Sequence, residues 1–130
     1  MVTDTLADML TRIKNATMVN KKTVSMPYAK MCKAVADVML AENYLKAVSV
    51  EGEGKDKKLV LTPMYVAGKS AIQHVRRISK PGVRIYSPVT SLRSVLSGMG
   101  IYIISTSKGI MSDKGAKKAR VGGEVLAELW

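Results

Sequence analysis

The chain is expected to adopt an α+β fold, an N-terminal αβαββ domain packed on a β-rich C-terminal domain with short helices. Three observations predict it. The first half carries two apolar stripes at helical spacing, each followed by a strand-like run. The second half breaks into short alternating runs separated by Gly, Pro and Ser. A chain of 130 residues, 47% hydrophobic, makes one ordinary domain or two very small ones sharing an interface.

Taken in order, Asp4 can cap a helix whose apolar positions Leu6, Met9, Leu10, Ile13 and Ala16 recur at helical spacing. Thr23 to Met26 is a short extended piece, and Pro27 stands where a first helical residue would. Met31, Cys32, Val35, Ala36 and Met39 form the second stripe, which makes Cys32 a core residue. Tyr44 to Val50 and Lys57 to Thr62 read as strands joined by the Gly-rich, charged turn 51–56. The boundary is expected between Thr62 and Gly68, giving domains 1–65 and 66–130. Residues 71–79 fit either a helix, through Ile72, Val75 and Ile78, or a strand entering a hairpin at Lys80-Pro81-Gly82-Val83; the strand is chosen. Ser87 and Pro88 open a helix that ends at Gly98. Ile101-Tyr102-Ile103-Ile104 is a buried strand, Ser112 and Asp113 start a basic helix over 114–120, and Glu124 to Trp130 alternates like a last strand.

Charge is the first functional clue. The chain holds 21 Lys and Arg against 10 Asp and Glu, a formal net charge of +11. Residues 57–130 carry 13 basic and 3 acidic side chains, and no Asp or Glu occurs between Asp56 and Asp113. Such an imbalance attracts polyanions. A membrane partner would need a long apolar span or a basic amphipathic helix with a large apolar face, and neither is present. The N-terminus, with Asp4 and Asp8, resembles no signal or transit peptide, and a lone Cys32 suits a cytoplasmic location.

Enzyme chemistry finds little support. A Cys-His pair or metal site would have to use Cys32 and His74, the only residues of their types. Ala67-Gly68-Lys69-Ser70 resembles the end of a phosphate-binding loop, but Pro63 stands where that motif requires glycine. No general acid or base, metal, cofactor or small-molecule substrate is therefore expected. Two rivals stay open: a phosphate-handling enzyme using Lys69 or His74, and a basic DNA-binding protein, for which 114–120 is a short helix without base-reading Asn or Gln.

The stretch Ser105-Thr106-Ser107-Lys108-Gly109 stands between a strand and an expected helix start. There, backbone N–H groups and the positive end of a helix dipole can face an anion, while three hydroxyls can donate and accept toward ribose or base edges. The same hydroxyls can equally cap the helix and satisfy turn backbone.

Residues 100–111, Gly-Ile-Tyr-Ile-Ile-Ser-Thr-Ser-Lys-Gly-Ile-Met, followed by Ala116-Lys117 and Gly122-Gly123-Glu124, resemble the signature region of the bacterial small-subunit ribosomal protein S8 family. Residues 8–16 resemble that family's first helix and residues 79–86 its basic hairpin, so nearly the whole chain is covered. The resemblance implies a structural protein of the ribosome in the cytoplasm. It would bind the central domain of 16S rRNA early and independently and promote subunit assembly. Neighbouring small-subunit proteins are implied partners, and its own messenger RNA is a further candidate, since some family members repress theirs. The implied RNA-binding surface maps onto Ser105, Thr106, Ser107 and Lys108, with Gly122, Gly123, Glu124 and Tyr86 nearby and a second contact around Lys30. Two of these carry alternatives: Glu124 either accepts from RNA or supports its own loop, and Tyr86 either stacks on a base or covers the hairpin. Arg76, Arg77, Lys80, Arg84, Lys114, Lys117, Lys118 and Arg120 are expected to release counterions without reading sequence.

Overall fold

The computed structural model describes residues 4–89 and 99–130. They form two compact units, residues 5–72 and residues 73–130 together with Asp4. The body of the helix expected after Ser87 lies at 90–98, outside the described residues.

In the first unit, α1 (Thr5–Met18) buries Leu6, Met9, Leu10, Ile13 and Ala16, the expected stripe. Strand β1 (Val24–Pro27) leads to α2 (Lys30–Ala41), then β2 (Leu45–Glu51), a 3-10 turn at Gly54–Asp56, and β3 (Lys58–Pro63). The sheet is antiparallel in the order β1-β3-β2, so central β3 places Leu59 and Leu61 in the core, both fully buried. Pro27 is not a helix start. It ends β1 opposite Lys58, and α2 begins three residues later with Ala29 as its N-cap. Because β1 lies at a sheet edge, a residue without an N–H is tolerated there. Cys32, Val35, Ala36 and Met39 are buried as expected, whereas Met31 is 38% exposed. One residue before Cys32, it sits about 100° around the helix from the stripe.

A feature absent from the sequence reading follows β3. Strands β4 (Tyr65–Val66) and β5 (Lys69–Ser70) form a small hairpin whose turn is Ala67-Gly68, with φ of 53° and 79°. Positive φ at both central residues is what a two-residue hairpin turn of matching twist requires. The stretch that resembled a phosphate loop is this turn.

In the second unit, β6 (Val75–Arg77), β7 (Tyr86–Ser87), β8 (Ile101–Thr106), β9 (Gly109–Ser112) and β10 (Gly123–Leu129) form one sheet, with α3 (Asp113–Ala119) between β9 and β10. Ile104, Val125 and Ala116 of α3 make a core cluster lined by Ile78, Val89, Tyr102, Met111 and Val121. Ser112 is the N-cap of α3, its hydroxyl accepting from Gly115 N at 3.1 Å.

Two expectations are corrected here. Residues 75–77 are a strand, but they do not pair with 83–86. Strands β6 and β7 instead lie along the same edge of β10, and the Lys80 and Val83 main chains bond only each other, at 2.9 Å both ways. The central strand outcompetes the local partner, because Ser79 N donates to Val125 O and Val125 N to Ile85 O. Residues 80–84 are thus an excursion looped out from a strand edge. Secondly, β10 does not alternate: Val125 to Leu129 are all buried, as befits a strand at the centre of a sheet. Its register against β8 shifts by one residue between Val125 and Ala127, a bulge at Leu126. A plain strand would put Glu124 and Glu128 on one face; the bulge turns them to opposite faces.

Candidate nucleic-acid interface

One end of the second unit's sheet brings together most of the residues singled out from the sequence. Residues directly opposite on neighbouring strands share a face. Tyr86 stands opposite Glu124, Glu124 opposite Ser105, and Ser105 opposite Ile110, which makes a row across β7, β10, β8 and β9. The next row runs Ser87, Gly123, Thr106, Gly109, and Ser107 and Lys108 form the turn beyond it. Tyr86 is 69% exposed, Ser107 and Lys108 are exposed, and Ser105 and Thr106 are half-buried.

Ser105 to Gly109 is a β-hairpin tip, not a strand running into a helix. The helix starts at Asp113, after β9, so its dipole does not address this loop. Gly109, with φ at 111°, completes a reversal that L side chains rarely accommodate. The signal was present in the sequence: hydroxyl residues and a glycine between two apolar runs mark a hairpin loop.

The three hydroxyls are not equivalent. That of Thr106 donates to Gly109 O at 2.7 Å and accepts from Lys108 N at 3.1 Å, so it holds the turn. The hydroxyls of Ser105 and Ser107 have no partner among the described residues and are the ones open to a ligand.

Gly122 and Gly123 are demanded by space. A Cβ at Gly122 would lie 2.8 Å from Pro88 Cα and from Val89 N, and one at Gly123 would lie 2.9 Å from the Ser105 carbonyl carbon, closer still to its oxygen. These glycines let the 87–89 segment and β8 close on β10 at the row that carries Thr106.

Glu124 is 14% exposed in its side chain and accepts at Oε2 from Ser79 Oγ at 2.5 Å and from Arg84 Nη1 at 3.0 Å. Burial by itself would raise its pKa; the hydrogen bonds from Ser79 and Arg84 and the charges of Arg84 and Arg77 outweigh burial and hold the carboxyl below its ordinary value. Neither Ser79 nor the pairing of Arg84 was legible in the sequence.

The other basic residues divide. Arg76, its side chain 61% exposed, pairs with Glu128, and Arg77, only 10% exposed in its side chain, bonds Asp4 and the Leu126 carbonyl, so both have partners within the fold. Lys80, Lys108, Lys114, Lys117, Lys118 and Arg120 make no ion pair among the described residues. His74 stacks on Trp130 at 3.8 Å and bonds Glu128 at 3.1 Å, while Cys32 is buried in the other unit with Sγ against Thr5 O. No group of His, Cys, Asp or Glu suited to a metal occurs among the described residues, and no described helix is long and apolar enough to cross a membrane. Lys30, the first residue of α2, is exposed and belongs to the unit 5–72.

Comparison with known proteins adds an independent line. The family model described as Ribosomal protein S8 matches residues 4–130. The small ribosomal subunit protein uS8 of Mycoplasmopsis pulmonis (strain UAB CTIP) is 47% identical over 129 residues, covering 99% of this chain and 98% of that protein. Its counterpart in Spiroplasma kunkelii is 49% identical over 130 residues, the full length of both chains. Another, from Caldanaerobacter subterraneus subsp. tengcongensis, is 49% identical over 99% of this chain and 98% of its own.

Proposed function

The chain belongs to the ribosomal protein S8 family, a structural and non-enzymatic family, and from that membership we propose that it is a constituent of the small ribosomal subunit that binds the central domain of 16S rRNA directly and promotes subunit assembly. The observation that carries the reading is the row Tyr86, Glu124, Ser105 with the Ser107-Lys108 turn beside it. Double-stranded RNA presents a wide, shallow minor groove lined by 2′-OH groups, and irregular helices expose unstacked bases. Short hydroxyls on a hairpin tip approach such a groove closely, and the Ser105 and Ser107 hydroxyls can each donate to and accept from ribose or a base edge. The Tyr86 ring, most of it in solvent, offers a stacking surface. Lys108 and the unpaired lysines of α3 neutralise phosphates and add affinity without sequence information.

In this reading residues 66–130 form the principal rRNA-binding domain, and 1–65 an auxiliary one that contacts RNA through Lys30. Neighbouring small-subunit proteins complete the partners, with its own messenger RNA as a further RNA ligand. The test is binding to a central-domain rRNA fragment and to a random duplex of equal length in about 0.2 M salt, where unspecific attraction is weak. A large preference for the fragment is expected; equal binding would reduce the protein to a general polyanion binder.

A further inference from the structure

Ser79 is fully buried, one of four buried polar residues among those described, with Ser112, Asp113 and Glu128. Ser112 caps α3, Asp113 accepts from Tyr102 N, and Glu128 bonds His74 and Arg76, so each of those three serves the fold of its own surroundings. Ser79 is placed differently. Its hydroxyl accepts from Ile85 N at 2.9 Å and donates to Glu124 Oε2 at 2.5 Å. One oxygen thereby closes the excursion 80–84 at its base and fixes the carboxylate in the row between Tyr86 and Ser105. Arg84, carried on that excursion, supplies the second bond to Oε2. Oε1 is left without a partner among the described residues, and no buried side-chain oxygen there lacks one, so Oε1 reaches solvent.

We propose that Ser79 is a positioning residue of the RNA-binding face: with Arg84 it holds Glu124 by Oε2, so that Oε1 is presented between Tyr86 and Ser105 as an acceptor for an N–H or O–H donor of the RNA. The inference rests on the reading above that this face meets RNA. A carboxylate among phosphates is repelled unless it receives donor hydrogens, and an ionised carboxylate only accepts. Base amino groups and ribose 2′-OH groups are the donors RNA has. Removing the Ser79 hydroxyl takes one hydrogen bond from Oε2 and strands Ile85 N. Burial then weighs more heavily on the carboxyl, and its pKa rises. The charged groups acting on Glu124 are Arg84 and Arg77, with Tyr86 opposite it on β7, and Glu124 is the carboxyl among them, the group that takes up a proton on acidification.

The experiment uses the full-length protein and the central-domain fragment, with a random duplex as control. Ser79→Ala is expected to bind the fragment about tenfold more weakly and the random duplex unchanged, with an unaltered salt slope because no phosphate-binding charge is lost. Binding by the wild type should stay flat from about pH 7 to about pH 5, whereas the variant should lose affinity as pH falls through the raised pKa, because protonation removes the acceptor's charge and makes one carboxyl oxygen a donor. Glu124→Gln should cost a similar factor, and the double variant no more than Glu124→Gln alone, since the two residues act as one unit. A fragment with 2′-deoxyribose distinguishes the donors: an unchanged Ser79→Ala loss supports a base amino group, a vanished one supports a 2′-OH, and either supports the proposal. Should the Ala variant fail to fold, Ser79→Cys, with a weaker donor of similar size, decides by showing the same pH dependence or not. Full affinity in Ser79→Ala beside a weakened Glu124→Gln would overturn the inference alone. Unchanged binding by Glu124→Gln would likewise overturn the inference, whereas equal binding of fragment and random duplex by the wild type would overturn the reading of the face itself.

Discussion

Replacing Gly123 by alanine should open the sheet where the RNA face is built. An added Cβ would sit 2.9 Å from the Ser105 carbonyl carbon and 3.2 Å from Thr106 Cα, with the carbonyl oxygen nearer still. Favourable contacts between carbon atoms begin near 3.5 Å, so the β8 backbone must retreat by roughly 1 Å. These neighbours are main chain and cannot rotate away. Overpacking of this kind costs about 1–3 kcal/mol, and weakening of the ladder at Gly123–Thr106 and Glu124–Ser105 adds about 1 kcal/mol. Together they should lower the melting temperature by on the order of 10 °C. The natural contrast is Gly115→Ala in α3, where the new Cβ meets Met111 Cβ and Ser112 Oγ at an ordinary 3.6 Å; relief of glycine's entropy in a helix should stabilise by up to about 1 kcal/mol. Thermal unfolding followed by circular dichroism reads both. If Gly123→Ala melts with the wild type, the close approach of β8 and β10 does not depend on the missing side chain, and the steric reasoning fails.

Thr106→Val, which removes the hydroxyl that bonds Gly109 O and Lys108 N, should lower stability in urea by about 1 kcal/mol, because both bonds lie near solvent. An unchanged midpoint would mean the turn holds without them. Lys117→Ala with Lys118→Ala should weaken fragment and random duplex alike and flatten the salt slope by about 1 to 2, since these side chains make no ion pair among the described residues. Loss confined to the cognate fragment would make them readers of sequence instead. Stability should also fall in acid: the folded-state pKa of Glu124 lies below its ordinary value, so its contribution is present above the unfolded pKa and disappears as pH drops through the folded one. Glu124→Gln should remove that share of the acid sensitivity, seen as a shallower decline of melting temperature below about pH 5.

Much of this fold is written in short-range pattern. The stripes of α1 and α2, the Ser112 cap and the apolar runs of β3 and β8 follow from local spacing, and the structure has them close to where spacing puts them. What spacing does not contain is partner choice. Residues 75–77 and 86–87 look like two arms of a hairpin because they are near in sequence, yet both spend their hydrogen bonds on β10, between 36 and 54 residues away. The bulge at Leu126 is likewise a property of the pair β8–β10, and it alone decides that Glu124 and Glu128 face opposite sides. Pro27 was legible as a breaker but not as an edge-strand residue, because the edge exists only once β3 has found its neighbours. The candidate site divides the same way. Tyr86, Glu124, Ser105, Ser107 and the paired glycines could be named from a motif. Ser79 could not, since a serine before a Lys-Pro-Gly turn carries no sign that it will be buried against a carboxylate 45 residues on.

The most direct test of the RNA face is the affinity of Ser105→Ala with Ser107→Ala, a pair that leaves the Thr106 turn bonds in place, for the central-domain fragment and for random duplex RNA. At about 1 kcal/mol for each hydroxyl, the fragment should be bound roughly 10- to 100-fold more weakly, with the random duplex unaffected and the melting temperature kept. Wild-type affinity for the fragment, or an equal loss on both RNAs, would contradict the assignment of this hairpin as the surface that reads RNA.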